Sequence, residues 1–219
     1  MIIIPEIVLF NLITGLVTHI SKDFEANLAD ETKSLLYNLL HGNKFGKFDY
    51  YDQGKELFLR RTDHPRKVAV RQFFDVSRAD LPTIHITLPG ESAAFDGIGV
   101  DEGFKSPLWD DDNLRFTPVY NRNFEAQYSI IFTSENTLEV LLMYNTMRSL
   151  LISIFDSVQL VGLQNPKLGG QDLQINSDLI PKHIFIRALT LHSNYDVSVP
   201  RFFSDQMMQD IIFSGKAVQ

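Results

Sequence analysis

Alternation of apolar and polar residues is the feature that most constrains this fold, because only an extended strand places every second residue on one face. Residues 125–133 alternate cleanly. Residues 183–199 keep strand character over seventeen positions, whereas a typical strand has about 5–6 residues. We therefore expect a bent strand or one that projects beyond its domain and offers an edge to a neighbouring chain. One row of that strand holds Phe185, Leu189, Leu191, Tyr195, Val197 and Val199.

Further segments are predicted from residue spacing and turn chemistry. Residues 57–61, 68–74 and 83–88 have strand character. Residues 165–170 are predicted to interrupt the regular secondary structure. The helical segments are predicted at 5–27, at 30–42 with Asp30 as N-cap, at 134–155 with Ser134 as N-cap, and at 204–215. The helix at 134–155 is expected to be the longest and to lie across the sheet.

These strands are separated by hairpin-like or long connections and not by regular βαβ units, which favours an α+β fold. We expect a mostly antiparallel sheet packed against a long helix and an N-terminal amphipathic helix, with a long loop insertion. The whole chain, 1–219, is predicted to be a single α+β domain with an elaborated or inserted region at about 43–124.

The apolar N-terminus raises the question of a membrane segment. Fifteen uncharged residues separate Glu6 from Lys22, and a spanning helix needs about 20. No Lys or Arg precedes this stretch, as a signal peptide would require. We interpret the segment as a core or interface helix and expect no membrane association.

Composition excludes several classes of function. The chain has no cysteine, which rules out disulfides, thiolate catalysis and cysteine-based metal sites and fits a reducing cytoplasm. Its formal net charge of −7 disfavours wrapping of nucleic acid, since that affinity comes mainly from neutralised phosphates. An acidic protein could still surround a passing polyanion without binding it. We expect no cofactor.

Residues 91–124 combine acidic residues with glycine, proline and aromatic residues, including the single tryptophan, Trp109. Loops longer than about 12–15 residues are uncommon unless they are functional or disordered. We predict that this segment docks on a partner through Trp109, Asp110, Asp111 and Asp112. The aspartates could bind a hard cation, but they lack the spacing of a calcium-binding loop, so no metal site is predicted.

One basic cluster holds Arg60, Arg61, Arg66, Lys67 and Arg71. If the strands predicted on either side pair as a hairpin, these charges gather at its tip. They could bind phosphates, in a small binding module, or an acidic patch on a neighbouring protein. We favour the protein partner. A subunit with a basic tip and an acidic loop can repeat head-to-tail in a ring, with Tyr195 and Val197 of the long strand as further contacts.

A catalytic alternative rests on Ser92. Residues 90–94, Gly-Glu-Ser-Ala-Ala, partly match the nucleophile elbow of a serine hydrolase, but Ala94 stands where the elbow has glycine. Gly97, Gly99 and Gly103 have the wrong spacing for a dinucleotide-binding loop, and the six histidines form no metal-binding motif. We expect that the protein is not an enzyme. The alternative is a serine hydrolase that uses Ser92 as its nucleophile.

The order of elements in the C-terminal half carries a resemblance. A strand at 127–133 leads into the helix at 134–155, followed by Val161-Gly162-Leu163 and then Gly170-Gln171-Asp172-Leu173. Ile180-Pro181 precedes a strand at 185–191, and the segment ends at Val199-Pro200. This order resembles the neck, tail-terminator and tail-completion proteins of tailed bacteriophages, and similar connector ring proteins of crAss-like phages. The resemblance covers most of residues 1–30 and 125–215, and leaves 43–124 unmatched.

The resemblance implies a structural virion protein, made in the cytoplasm of a bacterial host. Such a subunit would form a homo-oligomeric ring that contacts neighbouring portal, neck or tail proteins. DNA would pass through the lumen without specific binding, which agrees with the negative net charge. The resemblance implies no catalytic residues in this chain.

Overall fold

The computed structural model describes residues 4–59, 67–72, 81–93, 108–110, 115–117, 119–160, 162–172 and 184–200. The chain divides into two compact units. The main unit comprises Ile4–Ser92 and Glu125–Tyr195. The small unit comprises Met1–Ile3, Ala93–Phe124 and Asp196–Gln219. The predicted single domain with an elaboration at about 43–124 stays a prediction.

Helices and strands alternate irregularly along the chain. The helices are α1 (Pro5–Ala26), a 3₁₀ turn (Glu31–Lys33), α2 (Leu35–Leu40), α3 (Tyr50–Phe58), α4 (Thr137–Ser153) and α5 (Phe155–Leu160). The strands are β1 (Lys44–Phe45), β2 (Phe48–Asp49), β3 (Ala69–Gln72), β4 (Thr83–Ala93), β5 (Leu108–Asp110), β6 (Arg115–Thr117), β7 (Val119–Ser134), β8 (Gln164–Asp172) and β9 (Phe185–Pro200).

A five-stranded sheet in the order β3-β4-β7-β9-β8 organises the chain. Strands β8 and β9 pair antiparallel, with Leu168 opposite Leu191. Strand β3 pairs with β4 in parallel, with Ala69 opposite Thr83. The predicted α+β class is confirmed, but the sheet is mixed, because its first pair is parallel.

One face of the sheet packs against α4. Ala126, Tyr128, Ile130 and Phe132 on β7 are fully buried, as their alternation predicts. The Tyr144 ring of α4 lies edge-on to Phe132, with 6.0 Å between ring centroids. The prediction that this helix lies against the sheet is therefore confirmed.

The opposite face of the sheet is also buried. Ile131, Ile184, Ile186 and Ala188 form a cluster there, with Leu81 packed against it. On β4, the polar residues Thr83 and His85 are as buried as the apolar residues Ile84 and Ile86. Over residues 83–86 the alternation thus separates two buried faces and not a buried face from an exposed one.

Helix α1 has the predicted extent and begins with proline at its first turn. It packs against α2, α3 and β3. By length and composition alone it could cross a membrane, a test that the core helix of a soluble protein also passes. Its buried face supports the interpretation as a core helix; that face holds Leu9, Ile13, Leu16, Val17, Ile20 and Phe24.

The helix predicted over 30–42 is broken at Ser34. The Ser34 hydroxyl donates to the Glu31 carbonyl at 2.7 Å and accepts from the Tyr37 amide at 3.2 Å. A carboxylate oxygen of Asp23 on α1 accepts from the Leu35 amide at 2.6 Å. Ser34, and not Asp30, is therefore the N-cap of the α-helical part, because these side chains satisfy its first amides.

The strand predicted over 57–61 is wrong at its start, since Leu57 and Phe58 end the helix α3. Asp49 begins that helix by accepting from the amides of Tyr51 and Asp52 at 3.0 and 3.4 Å. Leu57 and Phe58 bury themselves against the helical layer. Within the described residues 57–59 and 68–72 the predicted hairpin is not formed, because α3 takes the place of its first strand and β3 pairs with β4.

Two further boundaries differ from prediction. Residues 165–170 lie within β8, which absorbs Asn165 at φ 48° as an irregularity in register. Asn136, and not Ser134, caps α4, since its side chain accepts from the Leu138 amide at 2.9 Å. Helix α4 has 17 residues and α1 has 22, so α4 is not the longest helix.

The segment 91–124 contains strands where a structureless loop was expected. Strand β4 continues to Ala93, β5 and β6 pair antiparallel, and β7 begins at Val119. Short strands at residues 108–110 and 115–117 were not signalled by any run of alternation. The remainder of this segment and the helix predicted at 204–215 lie outside the described residues.

Candidate functional site

The predicted contact residues are distributed over three elements. Arg60, Arg61, Arg66, Asp111 and Asp112 lie outside the described residues. Arg71 lies on β3, and Trp109 and Asp110 lie on β5, where they pair with Phe116 and Arg115. Tyr195 and Val197 lie on β9. Their roles as partner contacts stay predictions.

Arg71 belongs to a polar row that crosses three strands. It stands beside His85 of β4 in the parallel register. His85 Nε2 lies 3.3 Å from Thr133 Oγ1 on β7, and the Thr133 hydroxyl donates to the Thr83 carbonyl at 3.3 Å. A threonine with histidine resembles a nucleophile with its base. Here the hydroxyl proton points to a backbone carbonyl, so the row holds the strands together and does not activate Thr133.

A second polar cluster lies near the middle of the long strands. Tyr195 is 7% exposed, and its hydroxyl donates to Glu91 of β4. The Tyr128 hydroxyl is buried and has no hydrogen-bond partner in the part of the chain described. Its burial, followed by the charges of Glu6 and Glu91, raises its pKa above the ordinary tyrosine value. Sequence alternation identifies the buried positions but gives no sign of this cluster.

Beyond Tyr195, the long strands continue in the small unit. Asn123 of β7 donates from Nδ2 to Asp196 Oδ1 of β9 at 2.9 Å. Val197 follows and is half-buried. A side-chain hydrogen bond therefore links the two long strands where they enter this unit.

The helical layer of the main unit contains a charged cluster centred on Glu31. The Tyr51 hydroxyl donates to Glu31 Oε2 at 2.7 Å, and Lys55 Nζ lies 3.3 Å from the same oxygen. These two hydrogen bonds lower the pKa of Glu31. Burial and then the Glu31 interaction raise the pKa of Tyr51 to about 12. The cluster joins the 3₁₀ turn to α3.

Aromatic rings of α2 and α3 pack against one another beside the Glu31 cluster. The Tyr37 and His41 rings stack with 4.1 Å between centroids. Tyr51 meets Tyr37 edge-on at 5.3 Å. Aromatic pairs stabilise by about 0.5–1.5 kcal/mol beyond their buried area, so these contacts help to hold α2 against α3, on either side of the hairpin that connects them.

Beside these helices lies a groove of about 330 Å³. Helix α2, the β1–β2 hairpin and α4 form its walls, and it is lined by Leu39, Leu40, Asn43, Lys44, Phe45, Tyr50 and Asn145. At the rim, Lys44 Nζ lies 2.8 Å from an Asp49 carboxylate oxygen. Phe45 is 67% exposed. No local pattern in the sequence indicates this groove, which depends on α4 approaching from a distant part of the sequence.

The alternative catalytic residue does not have the required context. Ser92 lies exposed within β4, whereas a nucleophile elbow is a sharp turn from strand to helix. Among the described residues, no group of three potential His, Cys, Asp or Glu ligands could hold a metal ion. Comparison of the sequence with models of known protein families and with curated proteins finds no match.

Proposed function

We propose that this protein is a structural subunit of a ring in the head-to-tail connector or tail-completion region of a tailed phage. Neighbouring portal, neck or tail proteins contact the ring, and DNA passes through its lumen without specific binding. The observation that carries the proposal is the length of β7 and β9, 16 residues each, against about 5–6 in a typical strand.

The pairing of β9 supports an intermolecular role for its end. Strand β9 has 16 residues and its neighbour β8 has nine, and among the described residues β8 pairs with β9 residues 187–194. The edge of a long strand can pair with a strand of another chain. The C-terminal end of β9 is therefore the part of the strand that we assign to contact with a second subunit.

The sheet itself supports head-to-tail assembly. Its two outer strands differ, since β3 pairs in parallel and β8 pairs antiparallel with their inner neighbours. Contacts that join two different surfaces repeat from copy to copy and close into a ring when the rotation permits. A net charge of −7 suits a lumen that repels DNA phosphates.

The test is light scattering of the purified protein over a concentration series, followed by electron microscopy of large species. Assembly is expected to give closed rings of one symmetry, alone or after addition of purified portal and tail proteins. Val197→Arg should abolish the rings by placing a charge near the C-terminal end of β9. Phe185→Arg changes an exposed residue at the other end of the same strand and should leave them intact. A protein that stays monomeric alone and with these neighbours would refute the proposal.

A further inference from the structure

The groove beside the β1–β2 hairpin has the size and chemistry of a side-chain pocket. Its volume of about 330 Å³ lies at the small end of the range of about 300–1,000 Å³ for ligand sites. Leu39, Leu40, Phe45 and Tyr50 make most of its wall apolar. A single large aromatic side chain matches this volume and this lining better than a cofactor does.

The hairpin beside the groove has more basic than acidic residues, although the protein is acidic. The hairpin carries Lys44 and Lys47 against one acidic residue, Asp49, whereas the chain as a whole has a net charge of −7. Lys44 forms an ion pair with Asp49. Lys47 is exposed, and no ion pair involves it within the described parts of the chain. An occupant with carboxylates next to its aromatic residue is therefore electrostatically complementary.

The chain itself contains one segment of this kind. Residues 108–112 read Leu-Trp-Asp-Asp-Asp, which places the only tryptophan directly before three aspartates. Leu108–Asp110 forms one strand of the short β5–β6 hairpin in the small unit. Tryptophan is enriched among residues that dominate binding energy at protein interfaces.

We infer that the groove formed by α2, the β1–β2 hairpin and α4 binds the Trp109 segment of a second copy of this chain. This inference rests on the proposed assembly and specifies one contact between neighbouring copies. The aromatic residue fills the apolar groove, and the aspartates that follow it face Lys47 of the β1–β2 hairpin. Such a contact joins two different surfaces and is therefore compatible with head-to-tail repetition.

The single tryptophan allows a direct test with two full-length variants. The donor is Asn145→Phe, which fills its own groove and keeps Trp109. The acceptor is Trp109→Ala, which keeps the groove and has no tryptophan fluorescence. Titration of acceptor into donor should shift donor emission to shorter wavelength and saturate. Circular dichroism of each variant checks that it is folded.

Two control acceptors separate this contact from non-specific association. The double variant Trp109→Ala/Asn145→Phe lacks an open groove and should give no shift. The double variant Trp109→Ala/Lys47→Glu keeps the groove but reverses the charge at residue 47 of the hairpin, and should weaken the apparent affinity by about tenfold or more. Added salt should weaken binding by the acceptor that retains Lys47 more than binding by the Lys47→Glu acceptor, since exposed charges are screened.

The outcomes distinguish this contact from the ring proposal. Rings that form while donor emission stays constant would overturn the groove inference and leave the ring intact. A saturable shift without rings would retain the contact and refute ring assembly. A shift that is equal for all three acceptors would also overturn the inference, because the groove would then not be the binding site.

Discussion

Substitution of Gly170 by alanine should destabilise the packing of β8 against helix α4. Gly170 lies on β8 opposite Leu189 of β9, and a Cβ atom there would lie directly against the Tyr144 hydroxyl and 3.1 Å from the ring carbon that carries it. Tyr144 on α4 has little room to move. It is 4% exposed, lies against Phe132, and has the Arg187 guanidinium 4.3 Å from its ring centroid.

The expected cost is the difference between two effects. Gly170 is itself exposed, but overpacking against a buried side chain such as Tyr144 costs about 1–3 kcal/mol. Replacing glycine within a strand returns roughly 0.5–1 kcal/mol, because the unfolded chain loses freedom. The net destabilisation by Gly170→Ala is therefore centred on about 1 kcal/mol, between limits of about 0 and 2.5 kcal/mol, and a loss of about 1 kcal/mol lowers the urea midpoint by about 0.5 M.

Gly169→Ala is the matched control. Gly169 is the preceding residue of the same strand, and a Cβ atom there would meet only Thr190 Cβ at 3.9 Å, an ordinary contact. Neither glycine has a positive φ angle, so both backbones accept alanine. Gly169→Ala should be neutral or slightly stabilising. Tyr144→Phe in the Gly170→Ala background removes the obstructing oxygen and should recover part of the loss.

The assay is urea unfolding followed by circular dichroism, with equal slopes required of all variants. If Gly170→Ala and Gly169→Ala unfold at the same midpoint, Tyr144 does not occupy the space above Gly170. If Tyr144→Phe fails to recover any stability in the Gly170→Ala background, the steric explanation is wrong even when Gly170→Ala is destabilising.

The remaining predictions concern a helix cap and a tyrosine. Asn136→Ala removes the acceptor of the Leu138 amide and should destabilise the protein by about 1 kcal/mol in thermal or urea unfolding; Asn136→Ser, which can still cap, should be close to wild type, and equal losses would contradict the assignment. The pKa of Tyr51 is raised from 10.0 to about 12, so its stabilising contribution is full below pH 10 and is lost as the pH rises towards 12. The stability difference between wild type and Tyr51→Phe should therefore shrink over that range, with Tyr50→Phe as control, and a constant difference would contradict the tyrosine assignment.

The elements that the sequence predicted correctly are those whose signal is local and repeated. Residues 126, 128, 130 and 132 alternate, and all four are fully buried. The long C-terminal strand appears as β9, and the apolar N-terminal stretch as α1. Burial of one face is the dominant favourable term for such segments, so their pattern alone predicts their structure.

The errors occur where tertiary contacts outweigh local preference. Residues 57 and 58 have strand character in isolation, yet they form the end of α3, because Asp49 caps that helix and α2 covers its apolar side. Gly54 allows this packing, since any Cβ atom there would collide with Leu40. Likewise, residues 165–170 were predicted to interrupt the regular secondary structure, but they belong to β8. Strand β8 pairs with β9, which supplies the hydrogen bonds that a strand needs.

The sequence by itself determined the α+β class, the long C-terminal strand and the burial of the alternating row at residues 126–132. It also identified the acidic tryptophan segment as a candidate contact. Only the tertiary structure decided the strand order, the parallel β3–β4 pair and the groove between α2, the hairpin and α4. The reason is physical: periodicity records which face of a segment is buried, but not which distant segment covers it. Lys44 and Asn145 line the same groove although they lie far apart in the sequence.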